Sequence, residues 1–204
     1  MCQYFFKMDS QFKFLKEYLD KMTKIQVNLL ELLENEEKEA NEFIKFLLEE
    51  KVDTNLIELN SVFHLILRIF NNHNHTPTSS SKLFQILSYF QNNLKENFIN
   101  SEIFTIFRNN KKILLFLFEQ QILIPDERIA TIISTEKFVK KKYPHFFLPE
   151  FKPFFSKEFY DQISKETDDL YQKNPDLFIK KRKLGENDGY ICELIRNDSI
   201  EEFI

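Results

Sequence analysis

The chain has 204 residues, a formal net charge of −4 and an apolar fraction of 43%, a composition that fits one globular domain or a joined pair. Its only glycines are Gly185 and Gly189. Phosphate-cradling loops, dinucleotide-binding turns and tight hairpins need glycine at positive φ or at a close ligand contact. The composition therefore excludes most nucleotide-binding and all-β classes.

The sequence gives no sign of secretion or of membrane insertion. Its apolar start is too short for a secretory signal, and the longest wholly apolar run, residues 113–118, is about a third of the roughly 20 residues that span a bilayer. Cys2 and Cys192 form no disulfide framework. We therefore expect a cytoplasmic protein without membrane association, with a nuclear location as the alternative.

Apolar residues recur every three or four positions through residues 1–70, which predicts an N-terminal helical bundle. The first helix is expected to start at a cap formed by Asp9-Ser10 and to end near Asn35. Asp53 is the expected cap of a later helix. The apolar face predicted for the first helix consists of Phe12, Leu15, Leu19, Met22, Leu29 and Leu33.

Residues 71–81 are polar throughout and are predicted to form a loop and hinge, because Pro77 disfavours helix just before it. Helices are expected to resume at Leu83. The run 113–118 is interpreted as a helix rather than a buried strand, since no second alternating run offers it a partner. Three prolines at residues 144–153 exclude a long helix there and predict an irregular elbow.

Two short stretches share the pattern I-x-x-[IL]-[FI]-R-N-[ND], at residues 103–110 and 191–198, and an aliphatic residue follows each. The pattern describes a short helix that ends at a polar corner, Asn109-Asn110 or Asn197-Asp198, and a second helix that folds back antiparallel. Such pairs must stack on neighbours to bury their apolar faces, which predicts a solenoid.

Three stretches resemble the N-terminal helical region of protist ankyrin-repeat proteins, a domain of unknown function. They are residues 107–119, the elbow Phe147-Leu148-Pro149-Glu150 and the final residues 190–204. The Thr-Pro-Leu-His signature of the ankyrin repeat itself is absent. The resemblance implies a helical lead-in to an ankyrin-type stack, with protein binding as its role and no catalytic residues.

No catalytic, metal or cofactor site can be nominated from the sequence. His73 and His75 are spaced like two zinc ligands, but no cysteine or carboxylate group lies near them. His64 falls on an apolar helix face and is expected to be partly buried. Cys192 lies beside Glu193, without the electropositive setting of a nucleophile. We therefore expect a non-enzymatic protein without a cofactor.

The strongest charged motif is Lys180-Lys181-Arg182-Lys183. Four consecutive cations are typical of a nuclear localisation signal or a phosphate-binding patch. The acidic total and the lack of a recognition module count against nucleic acid, and complementarity to a helix C-terminus explains the run as well. A nuclear or nucleic-acid-associated adaptor is therefore the alternative function.

Together these patterns predict an all-α fold, an irregular solenoid of short antiparallel helix pairs. The expected organisation is a helical bundle at 1–70, a polar loop at 71–81, a repeat-like region at 82–185 that contains the elbow, and an ankyrin-like half-repeat at 186–204. The expected function is non-catalytic binding of a protein that the sequence does not identify. The corners with Asn109, Asn110, Asn197 and Asp198 are the expected binding points.

Overall fold

A computed structural model describes residues 2–72, 77–164 and 175–184. All regular elements in these ranges are helices, which confirms the all-α prediction. The chain divides into two compact units, an N-terminal unit (Met1–Phe107) and a C-terminal unit (Arg108–Ile204). The polar stretch at 71–81 that the sequence suggests as a boundary falls inside the N-terminal unit.

The helices described in the N-terminal unit are α1 (Cys2–Glu34), α2 (Ala40–Glu49), the 3-10 helix η1 (Val52–Thr54), α3 (Leu56–Asn72), α4 (Pro77–Tyr89), α5 (Gln91–Asn97) and α6 (Asn100–Phe107). Those described in the C-terminal unit are α7 (Lys111–Glu119), α8 (Glu127–Ile133), α9 (Glu136–Lys140), α10 (Tyr143–Phe146), α11 (Leu148–Phe151), the 3-10 helix η2 (Lys152–Phe154), α12 (157–164) and α13 (Pro175–Leu184). Within the described ranges, no helix combines the length and the apolar character needed to cross a membrane.

Three predicted boundaries are wrong. The first helix begins at Cys2 rather than at a cap formed by Asp9-Ser10. The cap of α3 is Asn55, not Asp53, because η1 occupies the intervening turn and Asn55 Oδ1 accepts hydrogen bonds from the backbone N–H of Ile57 and Glu58, at 3.1 and 3.4 Å.

The third wrong boundary is that of the loop predicted at residues 71–81. Residues 71 and 72 end α3, and Pro77 begins α4. Proline suits the first turn of a helix, where its missing N–H has no partner to lose. Ser79 and Ser80 are buried in that turn, so polar composition misled the prediction. His73 and His75 lie outside the described residues.

A phenylalanine cluster organises the N-terminal unit. Phe63 of α3 is fully buried, and its ring centroid lies 6.3, 6.1 and 6.0 Å from those of Phe90, Phe98 and Phe107. These rings come from the ends of α4, α5 and α6, so one side chain ties three short helices to α3. Edge-on and tilted contacts of this kind add to the free energy that burial supplies.

The C-terminal end of α1 is closed by a lysine from α4. Lys82 is buried, and its Nζ donates hydrogen bonds to the carbonyl oxygens of Leu32 and Asn35 at 3.0 and 2.7 Å. A third contact reaches the carbonyl oxygen of Glu36 at 3.4 Å. The last carbonyls of a helix lack partners within the helix, so a cation placed there satisfies them and complements the helix dipole.

Within the described ranges, three helix ends use a residue other than glycine in the left-handed conformation. Lys51, Gln121 and Lys142 have φ of 55°, 53° and 57°, and each follows the C-cap of α2, α7 or α9. The end of α7 forms a complete Schellman motif. Gln121 N–H donates to the Phe118 carbonyl, and Ile122 N–H donates to the Leu117 carbonyl. Glycine is the usual residue at this position. The glycine-poor sequence therefore accepts backbone strain at its turns.

The proline-rich elbow at 144–153 forms as predicted, as a series of single turns. Pro144, Pro149 and Pro153 each occupy the first or second position of α10, α11 or η2. Phe147 is fully buried, with the rings of Phe118 and Phe146 at 5.5 and 4.8 Å. The elbow thus supplies the aromatic core of the C-terminal unit.

Candidate protein-interaction surface

The N-terminal half of α1 carries a row of large apolar side chains that no described residue covers. Phe12, Leu15 and Leu19 are 65%, 50% and 53% exposed. Their spacing of three and four residues places them on one face of the helix. The same row continues to Leu29 and Leu33, which are buried. We call Phe12, Leu15 and Leu19 the α1 stripe.

The row changes from exposed to buried because the described contacts of α1 with α3 begin near Tyr18 and Lys21. Oη of Tyr18 and Oγ of Ser61 in α3 are 2.5 Å apart and share a hydrogen bond, and Lys21 forms an ion pair with Glu58 one turn away. Beyond this point α1 packs on α2, α3 and α4. Before it, residues 12–17 are all exposed. The C-terminal part of α1 is therefore built into the core, and residues 12–17 are available for contact.

The sequence predicted one apolar face along α1, and in the structure this face is buried at Leu29 and Leu33 but exposed along the α1 stripe. Spacing shows which residues share a face, but it does not show over what length a helix is covered. Phe14, on another face, is also exposed, at 68%. Phe14 is therefore a matched control position for the α1 stripe.

Asn109 and Asn110, the first predicted corner, follow α6 and precede α7 in the chain. Asn109 is exposed, whereas Asn110 is half-buried and caps α7, since its Oδ1 accepts a hydrogen bond from Ile113 N–H at 2.9 Å. Asn110 thus has a structural task of its own. The second predicted corner, Asn197-Asp198, lies outside the described residues, as does Cys192.

The residues of the basic run at 180–183 lie in different environments. Arg182 is buried, and its Nη2 donates to Glu150 Oε1 at 2.6 Å. Its guanidinium lies 5.4 and 5.5 Å from the ring centroids of Phe146 and Phe178. Lys180 and Lys183 are exposed, and the side chain of Lys181 is outside the described set.

A second cation lies over the same aromatic group. Lys111 Nζ is 5.2 and 5.3 Å from the ring centroids of Tyr143 and Phe146. The Tyr143 hydroxyl donates to the carbonyl of Arg108 at 2.5 Å, and burial raises the pKa of this phenol to about 12. Burial also lowers the pKa of Lys112. These contacts hold α7, α10 and α13 together, so Arg182 and Lys111 stabilise the fold.

A groove of about 380 Å³ lies between the end of α8 and the start of α12. Its walls are four hydroxyl side chains, three phenylalanines and one alanine, with no titratable group. General acid–base chemistry needs a titratable side chain close to the substrate. The hydroxyls and rings of this groove offer hydrogen bonds and apolar contact only.

Groups that could hold a metal ion are also absent from the described residues, where no three His, Cys, Asp or Glu side chains come together. His64, which the sequence placed in a partly buried setting, is instead exposed on α3. The α1 stripe is thus the described feature whose chemistry most clearly calls for a partner.

Comparison of the chain with protein-family models, with curated proteins and with solved structures found no match.

Proposed function

We propose that the chain is a non-catalytic protein-interaction module that binds its partner through the α1 stripe. The observation that carries this proposal is the exposure of Phe12, Leu15 and Leu19 on one face of a helix whose other end is anchored in the core. Complete burial of a large apolar side chain is worth about 1.5–3 kcal/mol. Covering three half-exposed ones supplies roughly half of that from each.

The mode of binding that fits is a helix laid against another helix or into an apolar groove. Such recognition reads side chains at three- and four-residue steps, as the α1 stripe presents them. Anchoring by Tyr18 and Lys21 favours this mode, because a helix already fixed at one end loses less entropy when it binds than a free segment does.

We further propose that the chain leads into an ankyrin-type repeat stack. Support comes from the repeated sequence pattern and from the first copy of it, in which a helix, a corner capped by Asn110 and a second helix follow one another. The second copy lies outside the described residues. The solenoid arrangement and the role of Asn109 as a binding point belong to this proposal.

The alternative, a nuclear or nucleic-acid-associated adaptor that uses Lys180, Lys181, Arg182 and Lys183, has less support. Arg182 is held in an ion pair and between two aromatic rings. A nucleic-acid or receptor contact by this run would therefore depend on its lysines. Replacing Lys180 and Lys183 with glutamine tests this role, since Arg182 and the fold are left in place.

The test of the main proposal is a pull-down with quantitative mass spectrometry. The full chain is compared with a variant that carries Phe12→Ser, Leu15→Ser and Leu19→Ser, and with the control Phe14→Ser. We expect the triple variant to lose specific partners and the control to retain them. Equal recovery of the same proteins by all three chains would overturn the proposal. An Asn109→Ala chain in the same experiment tests the corner.

A further inference from the structure

The groove between α8 and α12 is lined by hydroxyl groups whose protons are already engaged. Thr131, Ser134 and Thr135 each donate a hydrogen bond of 2.8 Å to a backbone carbonyl three or four residues earlier in the chain. A hydroxyl has one proton to donate and two lone pairs that accept. These three oxygens can therefore accept a hydrogen bond from a ligand but have no further proton to give.

Three phenylalanine rings supply the apolar part of the groove. Phe154 is 37% exposed, and Phe155 and Phe159 are half-buried. The ring centroid of the fully buried Phe151 lies 6.3 Å from that of Phe154 and 6.3 Å from that of Phe155, and the centroids of Phe155 and Phe159 are 5.1 Å apart. Rings that are already held in place lose little freedom when a ligand packs against them.

The eight residues that line the groove include no charged side chain. A charged ligand would give up water there without meeting an opposite charge, which is unfavourable. A carboxylate or phosphate would also find no donor in the three hydroxyls that bond to the backbone. The lining therefore favours a neutral ligand with an aromatic body and a hydrogen-bond donor.

Among side chains, tryptophan matches this description. Its indole N–H donates and its ring offers no competing acceptor, whereas a tyrosine hydroxyl also carries lone pairs and phenylalanine has no donor. Aromatic rings pack favourably on one another in tilted and edge-on arrangements. The groove volume of about 380 Å³ lies within the range of pockets that bind small ligands, so an indole has room there.

We infer that this groove binds an exposed tryptophan side chain of a partner protein. The indole ring packs against Phe154, Phe155 and Phe159, and its N–H donates to one of the three hydroxyl oxygens. Tryptophan is a frequent anchor at the centre of protein interfaces. The site lies in the C-terminal unit and goes beyond the proposed function, which concerns the α1 stripe of the N-terminal unit.

The chain contains no tryptophan, so indole fluorescence reports an added probe alone. The experiment is a titration of N-acetyl-tryptophanamide with the full chain. We expect a saturable shift of its emission to shorter wavelength. The 1-methyl derivative of the probe lacks the indole N–H and should bind about fivefold more weakly. The absence of a saturable shift, or equal affinities for the two probes, overturns the inference.

Variants locate the site. Phe154→Ala should weaken binding of both probes about tenfold. The triple variant Thr131→Val, Ser134→Ala and Thr135→Val should bind N-acetyl-tryptophanamide as weakly as the methylated probe and leave the methylated probe unaffected. Thr105→Val is the matched control, because Thr105 is exposed on α6 and makes the same kind of bond to the backbone. Circular dichroism checks that all variants stay folded.

A Phe154→Ala chain with unchanged affinity overturns the assignment to this groove. A triple variant that weakens both probes equally overturns the proposed hydrogen bond. Competition tests the charge of the ligand: if N-acetyl-argininamide displaces the probe at lower concentration than N-acetyl-phenylalaninamide does, the groove prefers a cation and the inference fails. The pull-down with variants of the α1 stripe decides the proposed function separately, because it changes residues of the N-terminal unit only.

Discussion

Arg182 and Glu150 form an ion pair at 2.6 Å in which the side chains are only 9% and 18% exposed. Removing one partner of a buried pair leaves the other charge without compensation. We expect Arg182→Met to lower the free energy of unfolding by about 3 kcal/mol. The double change Arg182→Met and Glu150→Met should recover much of this loss, because two apolar side chains can replace a buried pair.

Urea denaturation followed by circular dichroism measures these differences. Lys183→Met is the control, because Lys183 is exposed in the same helix. If Arg182→Met is as stable as that control, the ion pair is not what holds α13 in place.

Tyr143→Phe removes the hydroxyl that donates to the Arg108 carbonyl, and we expect a loss of about 1 kcal/mol. The pKa of Tyr143 is about 12 in the folded chain against 10.0 ordinarily, so the unfolded chain gives up this proton first as pH rises. The contribution of this phenol to stability is complete below pH 10 and is lost as pH rises toward 12.

An ultraviolet titration of tyrosinate checks the assignment. The chain has seven tyrosines, and the Tyr143→Phe variant should lack the tyrosinate step near pH 12 that the unaltered chain shows. Persistence of the high step in the variant would contradict the assignment.

Lys82 donates to the carbonyls that end α1. We expect Lys82→Met to cost about 2–3 kcal/mol, since buried carbonyls lose their partner. Lys45→Met, at an exposed position of α2, should be close to neutral. Thermal unfolding of both variants compares the two, and equal melting temperatures would refute the capping role of Lys82.

Gln121 occupies a left-handed position after the C-cap of α7. We expect Gln121→Gly to stabilise the chain by about 0.5–1 kcal/mol, because relief of the strain outweighs the added freedom of the unfolded chain. Gln120→Gly, one residue earlier at negative φ, should destabilise it. Chemical denaturation of both chains measures the difference. A destabilised Gln121→Gly chain would show that the turn carries no strain.

Local apolar spacing predicted several helices well. The buried face of α2 follows the three- and four-residue steps in the sequence, and the apolar run 113–118 lies in the helix α7 as interpreted. The prolines at 144–153 shorten the helices around them as expected. The start of α4 was missed because Ser79 and Ser80 become buried only through tertiary packing. Composition reports average exposure and does not identify such exceptions.

The exposure of the α1 stripe could not be predicted from the spacing of apolar residues, for a similar reason. Phe12 and Leu29 lie on one row of one helix, and the packing of α2, α3 and α4 against α1 decides which of them is buried. The strict alternation of three- and four-residue steps is the sequence signal that could have indicated a seam for a second helix.

Amide hydrogen exchange of the α1 backbone tests the central claim, that the α1 stripe is a surface for protein contact. Peptides that cover residues 12–19 and 25–33 are compared in the free chain and in the chain bound to a captured protein. The account predicts slower exchange on binding over 12–19 alone. Protection that appears elsewhere and leaves residues 12–19 unchanged would contradict it.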